Sequence, residues 1–168
     1  MSKQIILLNG PSSSGKSTLS RVLADVMLEK RGERYAIISI DDYMKISEDE
    51  TIYEDDVYEI SGDMCKGALD ALSDYDGVII DHVITSERIF EELVTTLGAC
   101  SIYSVHVSCP LDVLIAREIA RGNRCGGSAE ASYIYLYPKS GYDLTIDTSL
   151  ASSEECAEAI CASLGITT

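Results

Sequence analysis

The stretch Gly10-Pro11-Ser12-Ser13-Ser14-Gly15-Lys16-Ser17 has the form G-x-x-x-x-G-K-S, and its reading decides the fold. Glycines allow a turn tight enough for successive backbone N–H groups to point into one anion-sized hollow. In this phosphate-binding P-loop the lysine reaches nucleotide β- and γ-phosphates and the serine hydroxyl ligates Mg²⁺. Those roles fall to Lys16 and Ser17, with Gly10, Ser12, Ser13, Ser14, Gly15 and Thr18 as the rest of the cradle. The flanking sequence supplies the required context. Gln4-Ile5-Ile6-Leu7-Leu8-Asn9 is a short apolar run suited to a buried parallel strand. Leu19, Val22, Leu23, Val26 and Met27 recur at helical spacing. Lys30 and Arg31 fill the last turn of that helix, and Gly32 ends it.

Working outward, strand-like and helix-like segments alternate. Tyr35–Ile40, Val78–Asp81, Ile102–Val107 and Leu144–Thr145-Ile146-Asp147 read as further strands. Ser86 precedes an amphipathic stripe of Ile89, Phe90, Leu93, Val94 and Leu97, closed by Gly98. Pro110 starts a helix carrying Leu111, Leu114, Ile115 and Ile119, and Ser152-x-x-Glu155 is a capping box. This alternation implies an α/β fold: a three-layer α/β/α P-loop NTPase with a five-stranded parallel sheet, nucleotide-kinase-like, with a small lid. Without a linker, a low-complexity tract or a repeat, residues 1–168 read as a single domain. The lid falls at approximately 121–135, and an acceptor-side segment at approximately 42–75.

Ligands of such sheets bind at the carboxyl ends of the strands, so the residues just after each strand are the site candidates. Asp81 follows Val78-Ile79-Ile80, where a carboxylate holds Mg²⁺ opposite the P-loop hydroxyl. Ser17 and Asp81 are therefore the expected metal ligands. His82 beside it either touches an acceptor or is structural. Asp41 follows the second strand and is the candidate general base, taking a hydroxyl proton and aiming the oxygen at a γ-phosphate. Asp42 is the alternative carboxylate. Arg117, Arg121 and Arg124 stand at i, i+4 and i+7, on one side if the helix continues, and lead into the glycine-rich Gly122–Ser128. They fit a phosphate-covering lid, with Arg117 and Arg121 on the nucleotide and Arg121 and Arg124 on the moving phosphoryl group.

Residues 42–63 carry nine acids, from Asp42 to Asp63, against the single base Lys45. They read as a solvated loop or helix pair, or as an acceptor-side wall favouring neutral or cationic compounds. Tyr133, Tyr135, Tyr137 and Tyr142 read as packing residues or a pocket wall. The whole chain of 168 residues has 13 basic and 28 acidic side chains, a net charge of −15. Such a surface repels phosphate backbones, so nucleic acid and anionic membranes are not expected partners. No run approaches the roughly 20 apolar residues of a membrane span. Met1–Gln4 leads straight into the first strand, without room for a secretory signal. The six cysteines form no C-x-x-C pair and read as reduced thiols, which with the rest implies a cytoplasmic protein. Nothing selects an oligomeric state.

Together these residues resemble the chloramphenicol phosphotransferase family of P-loop kinases. The resemblance is carried by Ile5–Ser17, Asp41 and Val78–Asp81. Its most specific parts are Arg117-Glu118-Ile119-Ala120-Arg121-Gly122-Asn123-Arg124 and Tyr142-Asp143-Leu144-Thr145-Ile146-Asp147-Thr148. The resemblance implies ATP and Mg²⁺ as cofactors and transfer of the γ-phosphate to a hydroxyl of a small molecule. It also implies Asp41 as base and Lys16 on the phosphates. The match is weakest over 42–75, so the identity of the acceptor does not follow. Other readings are a nucleoside, nucleotide or nucleotide-sugar kinase, and an ATP-binding regulatory module without an acceptor.

Overall fold

The protein is described here from a computed structural model covering residues 2–44, 53–122 and 126–166. Its strands are β1 (Gln4–Asn9), β2 (Tyr35–Ser39), β3 (Gly77–His82), β4 (Ser101–Ser108) and β5 (Leu144–Asp147). They form one parallel sheet in the order β2-β3-β1-β4-β5. The helices are α1 (Lys16–Arg31), α2 (Ile40–Tyr43), α3 (Glu54–Ala71), α4 (Glu87–Thr96), α5 (Leu111–Arg121), α6 (Ser128–Tyr135) and α7 (Ser153–Ser163). This is the expected α/β architecture with its five-stranded parallel sheet.

Strand alternation builds a core on each face of the sheet. Ile6 and Leu8 of β1 pack with Leu19, Leu23 and Met27 of α1 and with Ala157 and Ile160 of α7. Ile5 and Leu7 point the other way, toward Met64 and Ala68 of α3 and Ile89 and Leu93 of α4. β1 is thus buried on both faces, which explains its unbroken apolar run. Each large apolar side chain so buried contributes roughly 1.5–3 kcal/mol. Register places Asn9 beside His82 on one side and His106 on the other, so β1 and β3 end level while β4 runs on to Ser108.

Helix ends follow the sequence signals. Gly32 closes α1 in the left-handed conformation, and its N–H donates to the Leu28 carbonyl. Ser86 and Ser152 cap α4 and α7 by accepting from the N–H groups of Ile89 and Glu155. Three local expectations are corrected. Ile40 does not end β2 but begins α2, because Ser39 turns the chain by accepting from the Asp41 N–H. Val94 and Ile119 do not join the core; they are 40% and 75% exposed. On α5 the inward position is taken by Glu118, only 7% exposed.

Asn9 is fully buried and ties the active edge together. Its amide nitrogen donates to the Tyr137 carbonyl and the Tyr142 hydroxyl, each at 2.9 Å, and its oxygen accepts from the Ile84 N–H at 2.9 Å. Directly after it the chain squeezes past β4. A Cβ on Gly10 would lie 2.3 Å from the Val107 carbonyl oxygen, a backbone atom that cannot swing away. Gly10→Ala is expected to destabilise the protein by about 1–3 kcal/mol through this overpacking. Urea denaturation measures it; an unchanged midpoint with an unchanged slope would mean that β1 and β4 do not approach this closely.

Candidate functional site

β1 ends in the hollow that the sequence predicts. Ser13 (φ 70°) and Gly15 (φ 92°) adopt the left-handed conformation, which bends the loop before α1 starts at Lys16. No side chain caps the α1 N-terminus, and its first turn holds no acid. The positive end of the helix is thereby left for an anion. The hydroxyls of Ser12 and Ser13 are buried without a hydrogen-bond partner, as a loop that wraps a phosphate requires. Lys16 is buried, and its Nζ donates to the Pro11 carbonyl at 2.8 Å and to Ser14 Oγ at 3.3 Å.

The loop opens into a cleft of about 670 Å³. Ser12, Ser13, Gly15, Lys16, Ser17 and Thr18 line it, as do Asp41, Asp81, Arg117 and Arg121. Most of the expected site residues therefore share one cavity. Asp42 is exposed and does not line it, so the structure separates the two neighbouring carboxylates. Ser17 Oγ donates to Asp81 Oδ2 at 3.0 Å, and Ser39 Oγ donates to the same oxygen at 3.3 Å. A hydroxyl and a carboxylate held together are an oxygen pair suited to Mg²⁺, which completes its shell with water and phosphate oxygens. Among the described residues no group of three or more His, Cys, Asp or Glu could hold a metal by itself.

His82 is structural. It is fully buried, and Nδ1 accepts from the Val83 N–H at 2.8 Å. That leaves the proton on Nε2, 2.9 Å from Ser61 Oγ. Burial, reinforced by the Lys16 charge, pushes its pKa down to about 3, so the ring is neutral at physiological pH.

The lid side differs from the expectation of one continuous arginine face. α5 stops at Arg121, where Gly122 turns left-handed at φ 64°. Arg117 and Arg121 reach the cleft; Arg124 lies outside the described residues, as do Lys45 and residues 46–52 of the acidic segment. The described part of that segment enters α3, whose first turn holds Glu54, Asp55 and Asp56. Arg88 pairs with Glu54 and Asp55 and lies over the Tyr58 ring.

Four contributors escaped the reading of the sequence. Ser39 and Thr148 each follow or end a strand, so the strand-end rule points to them. Arg21, one turn beyond the P-loop, also lines the cleft. Glu118 reaches from α5 to cap α6, accepting from the Gly127 N–H at 3.3 Å and the Ala129 N–H at 2.9 Å. α6 in turn holds the P-loop, because Ser132 Oγ accepts from the Ser12 N–H at 2.9 Å. The clues to Glu118 are its place four residues after Leu114 on the apolar stripe and its position within the Arg117–Arg124 motif.

A family model described as chloramphenicol phosphotransferase-like protein matches residues 3–165. The chain belongs to the chloramphenicol phosphotransferase-like family. Among curated proteins none matches the chain significantly in sequence. Among solved structures it resembles the APS kinase of Mycobacterium tuberculosis, solved with AMPPNP and APS. The TM-score is 0.77 at 18% identity, with 98% of each chain covered. A gluconokinase from Sinorhizobium meliloti gives 0.75 at 18%, over 97% of this chain and 92% of that one. The tunicamycin resistance protein of Deinococcus radiodurans gives 0.67 at 20%, over 98% and 97%. At these identities the likeness is one of fold. Family and fold together place this chloramphenicol phosphotransferase-like protein among the nucleotide-dependent P-loop kinases.

Removing the Glu118 carboxylate orphans at least two α6 amides. Glu118→Ala is expected to cost about 2 kcal/mol of stability, within the range for buried groups left unpaired. Glu118→Gln keeps one carbonyl acceptor and loses less. Equal losses in denaturant titrations would rule out the capping role.

Proposed function

We propose that the protein transfers the γ-phosphate of ATP to a hydroxyl group of a small molecule. The observation that carries this reading is the single cleft in which Asp41 and Asp81 face Lys16, Ser17, Arg117 and Arg121. A module that only bound nucleotide would need the P-loop and not Asp41, which lies in α2 just after β2, two strands away from β1.

In this reading the P-loop amides and Lys16 bind the phosphates, and Ser17 and Asp81 would hold Mg²⁺. The ion would draw charge from the phosphate oxygens as the terminal phosphoryl group leaves. Asp41 accepts the hydroxyl proton and orients the oxygen toward that group. Arg117 and Arg121 line the same cleft, where their guanidinium groups hold the nucleotide and offset its charge. From its sequence spacing, Arg124 is assigned with Arg121 to the moving phosphoryl group. The acceptor side favours an uncharged alcohol over a phosphorylated one. Among the described residues there, Glu54, Asp55 and Asp56 crowd the start of α3, and Arg88 is already engaged by two of them.

Mass spectrometry of products from Mg²⁺-ATP and a pool of chloramphenicol, aminoglycosides, nucleosides, nucleoside monophosphates and sugars tests the reading. One neutral or cationic alcohol is expected to gain a phosphate mass. Phosphorylation of a nucleoside monophosphate alone would replace the acceptor assignment, and ATP binding without any transfer would favour the regulatory module. Lys16→Ala is expected to lower ATP affinity more than about tenfold, as loss of a charge-assisted contact does. Asp41→Asn should keep ATP binding and lose about a hundredfold in transfer rate, the scale of general-base catalysis. Full activity in Asp41→Asn with a dead Asp42→Asn would move the base to Asp42.

A further inference from the structure

We propose that Thr148, the first residue beyond β5, is a positioning residue for the P-loop, acting through the Ser14–Gly15 peptide. The inference rests on the kinase reading above and adds a residue that the reading does not use.

Thr148 sits where three segments meet. Its N–H donates to the Ser108 carbonyl at 3.1 Å, which anchors it to the end of β4. Its hydroxyl donates to the Ser14 carbonyl at 2.7 Å. That hydroxyl has one proton, so toward Arg117 it is an acceptor: Nη1 donates to Oγ1 at 3.0 Å. The Thr148 carbonyl accepts from Nη2 of the same arginine, also at 3.0 Å. The guanidinium fork is thus held on two oxygens of one residue. Its Nη1 also reaches the Ser13 carbonyl at 3.4 Å.

The consequence for the loop follows from peptide planarity. In a trans peptide the carbonyl and the next N–H point in opposite directions. Thr148 holds the Ser14 carbonyl away from the hollow, which turns the Gly15 N–H toward it. Gly15 has φ 92°, a conformation that a glycine leaves easily, so the orientation of this peptide needs an outside restraint. One hydroxyl therefore orients a phosphate-facing amide and one edge of Arg117 together. Electrostatic stabilisation of a moving phosphoryl group depends on such donors being aimed before the reaction begins.

Thr148→Val keeps the shape and branching and removes the hydroxyl. It is expected to raise the calorimetric Kd for ATP about tenfold and to lower kcat about tenfold, the scale of one hydrogen bond to a charged site. Thr148→Ser retains the donor and acceptor and should return both within about threefold of the wild type. In ¹⁵N-edited NMR, the Gly15 amide should shift on ATP addition in the wild type and the Ser variant, and shift less in Thr148→Val. If Thr148→Val does not fold, Thr148→Ala provides the same comparison with less bulk. A folded Val or Ala variant with wild-type Kd, kcat and Gly15 response would overturn the proposal. A wild-type protein that binds no ATP would overturn the kinase reading instead, and this inference with it.

Discussion

At Gly10 the chain passes so close to β4 that any side chain would strike the Val107 carbonyl. The geometry of the site depends on that approach. It lets β1 run between β3 and β4 to its last residue and then turn at once, with the Gly10 N–H on the His82 carbonyl at 3.4 Å. The loop that follows has no room to relax sideways. It rises into the left-handed turns at Ser13 and Gly15 and delivers the open α1 N-terminus to the level of the strand ends. Because β1 and β3 end together, Asp81 is then within one hydrogen bond of Ser17. A looser crossing would separate the hydroxyl from the carboxylate, and neither alone makes the oxygen pair.

The apolar cores set the distance between the layers, but buried polar side chains align the edge. Asn9 joins β1 to Ile84 and Tyr137, His82 joins β3 to α3 through Ser61, and Glu118 joins α5 to α6. Asn9 and His82 connect segments distant in the chain and Glu118 connects two successive helices, and each has its hydrogen bonds answered. Hydrophobic packing is non-directional and could not by itself keep a loop amide aimed. Satisfied polar contacts in a dry interior can, because breaking one leaves a costly orphan. The same logic makes Thr148 more than a turn residue.

How far the sequence discloses this arrangement depends on the range of the interactions involved. The boundaries of α1, the span of β5 and the Ser86 and Ser152 caps are local, set by neighbours three or four residues away, and all are legible. So is the general location of the site, since a parallel sheet places chemistry at its strand ends. α2 was not legible as a helix, because four residues after an apolar strand carry no periodicity. The choice of Glu118 over Ile119 was not legible either. A helical wheel offers both near the apolar stripe, and only the amides arriving from α6 make burial of the carboxylate favourable. The spacing of Arg117 marks it as a nucleotide contact. Its bond to Thr148, 31 residues away, is a tertiary fact that spacing does not encode.

Electrostatics gives the cleft its selectivity within an unfavourable whole. The protein carries −15 overall, yet Lys16, Arg21, Arg117 and Arg121 line the cleft against Asp41 and Asp81, four cations to two anions. At physiological ionic strength charges more than about 8 Å away are largely screened, so a polyanion inside the cleft interacts mainly with its lining. Outside it, the acidic surface disfavours non-specific phosphates. The two acids inside offset only part of that positive charge. The first turn of α3, with Glu54, Asp55 and Asp56, carries the opposite charge. The molecule thus concentrates positive charge in the cleft against an acidic whole. Asp41, in α2 just beyond β2, lines that cleft.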